Sequence, residues 1–153
     1  MKYDEIRILP MSKKDEFENK SIKKVQYKFF LRKLPFKKRG KFLYKKSKMN
    51  IRGTNTLVLF QYDNHIIASA RLLKIKSFKK PKDGYKGAYY FDISSIRIFK
   101  PLSKKEINNI FKPQKDIKFN QTKYILNSTT IENFEIKLND FEKKLCKKVC
   151  ICP

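Results

Sequence analysis

The stretch "TLVLFQYDNHIIASARLLKI", residues 56–75, decides the fold class. Two apolar runs rich in β-branched residues, 56–62 and 65–75, meet at Asp63-Asn64. A two-residue connection carrying Asn between such runs predicts an antiparallel hairpin closed by a tight primed turn. Both runs are apolar over consecutive positions instead of alternating. That pattern predicts strands buried on both faces, as inside a barrel.

Downstream, "SFKKPKDGYKG" (77–87) is rich in turn residues. "AYYFDISSIRIF" (88–99) predicts a third strand, kinked or bulged at Ser94-Ser95. Strand alternation sets Tyr90 and Asp92 on one face and Tyr89 and Phe91 on the other. "PLSKKEINNIF" predicts a short helix, with Ser103 as cap and Glu106 three residues on. A further strand is expected near "KFNQTKYIL" (118–126). Beyond it, Phe134, Leu138, Phe141, Leu145 and Val149 form one apolar stripe, which predicts an amphipathic helix over 129–149 capped by Thr129 and Glu132.

Upstream of the hairpin, Phe17, Ile22, Val25, Phe29 and Phe30 recur at near-helical spacing up to Pro35. They predict a basic helix or helix pair over 12–33, with Ser12 and Asp15 as a candidate cap and with Lys20, Lys23, Lys24, Lys28 and Arg32 exposed. Residues 34–55 read as a basic loop with one short strand at 42–44. The elements together predict one α+β domain over 1–153: a small, partly open β-barrel core (56–127) with flanking helices.

Charge points to a partner. The chain of 153 residues carries 38 Lys and Arg against 14 Asp and Glu, a formal charge of +24. Self-repulsion of that size opposes compaction, and a polyanion relieves it. Only six of the basic residues are Arg. Lys meets phosphate as a point charge, whereas Arg offers a planar fork. A Lys-rich, Gly-poor composition is also what AT-rich coding produces. Biased coding does not by itself empty a segment of carboxylates, yet none occurs between Glu18 and Asp63. Within that segment Lys37, Lys38, Arg39, Lys41, Lys45, Lys46, Lys48 and Arg52 interleave with Phe36, Phe42 and Tyr44. Basic side chains supply phosphate affinity and aromatic faces stack on unpaired bases, so this segment reads as a nucleic-acid footprint. The plainer alternative makes the aromatics core anchors for a basic loop.

Catalytic chemistry is sparse. His65 is the only histidine and reads as a turn residue, and no phosphate-cradling glycine loop is present. Glu135-x-Lys137 with Asp116 upstream is the one nuclease-like pattern, of the PD-(D/E)xK kind that uses Mg²⁺ to activate water. Asp116 follows Lys115 instead of Pro, and the 134–149 stripe makes Glu135 helical, so the pattern reads as chance. Cys146, Cys150 and Cys152 are too few and too clustered for a disulfide framework, which predicts a reducing cytoplasm; they also lack a fourth ligand for structural zinc. Neither signal peptide nor spanning segment is expected, and no metal or cofactor.

The segment "RGTNTLVLFQYDNHIIASARLL" resembles the PUA-like superfamily, in particular its EVE, ASCH and YTH-type domains, with Gly53 at the turn and "YKGAYYFDISSIRIF" as the aromatic-rich strand that follows. The resemblance covers about half of the chain, and the absence of Trp and the basic helical N-terminus depart from it. It implies a compact β-barrel that takes one modified or flipped base of DNA or RNA into an aromatic pocket. On that implication Tyr62, Tyr89 and Tyr90 are the stacking candidates, only one of the latter pair lining the pocket. Asn50, Gln61 and Asn64 read a base edge, and the 37–52 cluster holds the backbone. A Mg²⁺-dependent nuclease and a protein that masks an acidic partner are the rival expectations.

Overall fold

The computed structural model describes residues 5–45, 55–111 and 147–148, together with Tyr3 and Lys48. Its strands are β1 (Glu5–Pro10), β2 (Lys41–Tyr44), β3 (Thr56–Tyr62), β4 (His65–Lys82), β5 (Tyr85–Phe91), β6 (Arg97–Ser103) and the two-residue β7 (Lys147–Lys148). They form one sheet in the order β1-β3-β4-β5-β2, with β6 on β4 and β7 on β6. β1 runs parallel to β3 and every other pairing is antiparallel. The protein is therefore α+β with a mixed sheet. The sheet is open, its path ending on β1 and β2.

The expected hairpin forms. Tyr62 pairs with His65 across Asp63 (φ 50°) and Asn64 (φ 61°), two left-handed residues in succession. Both faces of its strands are buried, but by two separate apolar layers. On one side Val58, Phe60 and Tyr62 pack with Phe17, Phe29, Phe30 and Leu34. On the other, Leu57, Leu59 and Ile66 pack with Phe99, Leu102 and Ile107. Coverage from two sides demands the same consecutive apolar residues as barrel closure does, so the pattern alone does not separate them.

β1 lies in a segment for which the sequence predicts no element. It pairs with β3 over six positions, from Glu5↔Thr56 to Pro10↔Gln61. Its two charged residues are buried. Glu5 accepts from the Thr56 hydroxyl at 2.7 Å and lies 3.2 Å from Arg7 Nε, so each charge has an opposite partner in a site closed to water.

The N-terminal helical segment begins later than expected. Ser12 accepts from the Lys14 amide in a local turn, and Ser21, accepting from Lys24 N at 3.2 Å, caps the helix instead. After α1 (Ile22–Lys24) the chain continues as a π-helix, Val25–Lys37, which ends on a Lys38 N to Lys33 O bond five residues back. The wider winding buries Val25, Phe29, Phe30 and Leu34 on one face and carries the helix through Pro35. Lys20, Lys23, Lys24, Lys28 and Arg32 are exposed, as expected.

Gln26 locks this helix to the sheet. Ile67 is the extra residue of a β-bulge, lying between the pairs of β4 with both β3 and β6. The Gln26 amide donates to Ile67 O at 2.9 Å and Phe99 O at 2.6 Å, buried carbonyls at that irregularity.

The strand expected over 88–99 is two strands, β5 and β6, separated by a 3-10 turn, Ile93–Ser95, at the position of the expected kink. Asp92 caps the turn, accepting from Ser94 N at 3.1 Å. α2 (Lys104–Phe111) has the expected reciprocal cap: Glu106 N donates to Ser103 Oγ at 3.2 Å, and Ser103 N to Glu106 Oε1 at 3.3 Å. The strand expected at 118–126 and most of the 129–149 helix lie outside the described residues. Lys147 and Lys148, placed in that helix by periodicity, pair as strand with Ile98 and Arg97. No described helix is long and apolar enough to cross a membrane.

Candidate nucleic-acid interface

β4 changes character along its length. Ile66 to Ala70 and Leu72 are buried, whereas from Leu73 onward most side chains are exposed. The change falls at a register shift between Leu72 and Lys74. From there β4 and β5 run out as a ribbon that closes at Asp83 (φ 52°) and Gly84 (φ 83°), a second turn with two left-handed residues. From sequence, 77–87 is turn-rich chain. Charged strands carry little β propensity and Pro81 argues against a paired strand, so the ribbon's length is hidden there.

Register sorts its side chains. Phe42, Tyr89 and Ile75 lie side by side on β2, β5 and β4, facing the helical core. Alternation then puts the adjoining rows on the opposite face: Lys41–Tyr90–Lys74 and Leu43–Ala88–Lys76. Strands are about 4.8 Å apart, so Tyr90 has a lysine on each side at that spacing. Lys74 Nζ stands 4.8 Å from the centre of the Tyr90 ring. Nearer the tip, Lys41 and Lys82 approach Phe78 at 5.8 and 5.4 Å, and Lys45 approaches Tyr85 at 5.1 Å. Residues 73–91 hold six lysines and one carboxylate, Asp83.

Close backbone approach builds this corner. A Cβ on Gly87 would collide with the Tyr44 hydroxyl and the Lys76 carbonyl. Tyr44 stacks on Tyr89 at 4.7 Å, and its hydroxyl lies 3.2 Å from Ser77 Oγ. The third strand can therefore lie flat against the ribbon only because position 87 has no side chain.

The sequence-derived backbone cluster divides. Lys38 is engaged: it lies 3.0 Å from Glu16, which Lys33 also reaches at 2.6 Å. Burial works to raise the Glu16 pKa, but the hydrogen bonds from Lys33 and Lys38 outweigh it and hold the carboxyl below its ordinary value. Lys45 pairs with Asp15 at 2.8 Å. Lys37, Arg39 and Lys48 are exposed, and Lys41 sits in the outer row. Lys46, Asn50 and Arg52 lie outside the described residues, as do Asp116, Glu135, Lys137 and the three cysteines.

The base-pocket set does not converge. Tyr62 is fully buried, with its hydroxyl proton shared between Phe17 O at 2.9 Å and Lys20 O at 2.7 Å. Burial raises its pKa, which keeps it a donor. Tyr89 is buried against Tyr44. Neither ring presents a face to a ligand, because each carries core packing that the local sequence does not reveal. Tyr90 is the outward member of its pair. Gln61 is half-buried and its backbone carbonyl accepts from Met11 N at 2.7 Å, while Asn64 is exposed in the turn. Of the aromatic interleaving in the basic segment, Phe42 and Tyr44 belong to the core, and Phe36 is 55% exposed.

Of the residues predicted for the site, the structure brings Lys41 and Tyr90 together, as direct cross-strand partners. Lys74, Lys76, Phe78 and Tyr85 were missed, although an Asp-Gly turn between lysine-bearing runs was their signal. Two depressions of the described surface are open to solvent, one around Lys23, Lys24 and Tyr27, the other over Lys104, Lys105, Asn108 and Asn109. Neither contains a predicted pocket residue. Compared with known proteins, the chain matches no family model and no curated sequence.

Proposed function

We propose that this protein is a non-enzymatic nucleic-acid-binding module whose contact surface is the outer face of β4, β5 and β2. One observation carries the reading: the cross-strand row Lys41–Tyr90–Lys74 on a ribbon with six lysines and one carboxylate. Lysines in register on a sheet present their charges from one backbone surface, and each phosphate neutralised releases counterions. The reading is of a surface instead of a base-extracting pocket, since Tyr62 and Tyr89 are enclosed. PUA-like kinship belongs to the same proposal, supported by the hairpin that the matching segment forms.

The test is equilibrium binding of labelled DNA and RNA oligonucleotides across a salt series. Lys41→Ala, Lys74→Ala and Lys76→Ala are each expected to weaken binding. Each should also make the plot of log K against log salt shallower by about 0.7–0.9 for every phosphate that is no longer neutralised. Lys24→Ala, on the α1 surface, is the control and leaves the slope unchanged. Absence of binding at low salt, or equal effects of Lys24 and Lys74 substitutions, would refute the assignment.

A further inference from the structure

The outer face sets the Tyr90 ring between two of its lysines, and that ring has a consequence for the form of nucleic acid it takes. We propose that the face takes single-stranded nucleic acid, with one unpaired base stacked on Tyr90 in place of the Lys74 ammonium. The inference rests on the backbone-binding reading above and deepens it.

Tyr90 is the sole aromatic of the two outer rows, because Tyr89, Tyr44 and Phe42 all turn into the core. Lys74 Nζ, 4.8 Å from the ring centre, marks a π-face that a cationic group from solvent's side can reach. In the adjoining row Ala88 is fully buried, and Leu43 beyond it is half-buried. The half-buried ring and leucine make a low apolar shelf bordered by Lys41, Lys74 and Lys76. A polyanion with flat apolar faces complements that shelf in both charge and shape.

A duplex keeps its base faces stacked inside and offers only phosphates here. A single strand offers both. The two calls on the Tyr90 ring also differ in strength. An exposed ammonium gains little from a ring, since water solvates it well, whereas stacking of a base is among the larger contributions in single-strand binding. A base therefore displaces Lys74, and the freed ammonium is left beside the strand to meet a phosphate. Because every base has a π-face, the interaction is tolerant of sequence.

The experiment uses the full chain and three probes of equal length: oligo-dT, oligo-U and the dT·dA duplex, each followed across a salt series. Tyr90→Ala is expected to lose about ten- to a hundredfold on both single strands, with little change on the duplex. Its salt slope stays that of the unmodified protein, since every lysine that meets a phosphate is kept. Tyr90→Phe keeps the affinity because it keeps the ring. Tyr90→Leu retains apolar bulk against the sheet without a π-face; should the alanine variant melt early, it supplies the same comparison and is expected to lose as much. Equal losses on duplex and single strands overturn the inference, as does a Tyr90→Ala or Tyr90→Leu variant that binds single strands as the unmodified protein does. In either case the backbone reading stands on the lysine slopes. If no probe binds at low salt, both fall. A dT-over-U preference that Tyr90→Phe abolishes would also count against it, since stacking alone does not read the sugar.

Discussion

The two ends of β4 are made from one continuous strand and do opposite things. Its first part, from Ile66 to Leu72, lies between two apolar layers, with β3 on one side and β6 on the other. Its second part, 73–82, is mostly exposed, with only Ile75 and Phe78 half-buried, and it carries five lysines. The first holds the molecule together and the second is free to meet a partner. The boundary is a register shift, next to which Arg71 N donates to Ser95 Oγ at 2.7 Å and Asp92 pairs with Arg71 at 3.1 Å. The Ser94 hydroxyl, with Arg71, holds Asp92 below its ordinary pKa against the effect of burial. The joint is thus fixed by hydrogen bonds and charge.

The comparison predicts a steep gradient of stability effects. Phe60 is fully buried, with Phe30, Phe91 and Phe42 at 4.8, 5.0 and 5.7 Å. Phe60→Ala should cost about 3–5 kcal/mol in urea unfolding. Leu73→Ala, at a residue 54% exposed, should stay within about 0.5 kcal/mol. Similar costs at both positions would erase the distinction between the two ends.

Gln26→Ala comes next. It leaves the carbonyls of Ile67 and Phe99 without their donor, at about 1–3 kcal/mol. The loss should appear in unfolding free energy while nucleic-acid affinity at temperatures well below the melt is kept. A variant that unfolds normally but binds poorly would mean that the bulge and the ribbon are coupled.

Charge substitutions on the ribbon should show the reverse. Lys76→Glu is expected to change stability by no more than about 0.5 kcal/mol and to weaken binding clearly, the two being read by melting and by titration.

The smallest effect is that of acid. Glu16 ties the 3-10 turn Asp15–Phe17 to Lys33 and Lys38, and its pKa is depressed below the ordinary 4.5. A depressed carboxyl contributes stability that is complete above its unfolded value and is lost as pH falls through the folded one. Melting temperature should therefore decline below about pH 4.5, and less steeply in Glu16→Gln. An unchanged pH profile in that variant would show that the pair contributes nothing to stability.

Some of this architecture is written locally. Asp63-Asn64 between apolar runs specified a hairpin because few residues accept two left-handed conformations in succession. Ser103 and Glu106 specified a helix start because their side chains reach only the nearest amides. The exposed lysines of the N-terminal helix followed from spacing. β1 was less legible: "EIRILP" does alternate, but Glu5 and Arg7 are buried along with Ile6 and Ile8, although polarity alone assigns them to solvent. The π-winding of Val25–Lys37 was hidden as well, since its bonds span five residues and its apolar positions also suit an ordinary helix.

The candidate site divides along the same line. The sequence by itself determined that the chain is strongly basic and that no acidic residue falls between Glu18 and Asp63. The basic run also named Lys41, and the PUA-like resemblance named Tyr90 as one of three stacking candidates. Only the tertiary structure decided which lysines are spent on Glu16 and Asp15, that Tyr62 and Tyr89 are core, and that Lys41, Tyr90 and Lys74 share one row. Charge, capping and turn geometry act over a few residues and can be read along the chain. Register brings together positions 33 and 49 residues apart, and it is set by the packing of strands that no local window contains.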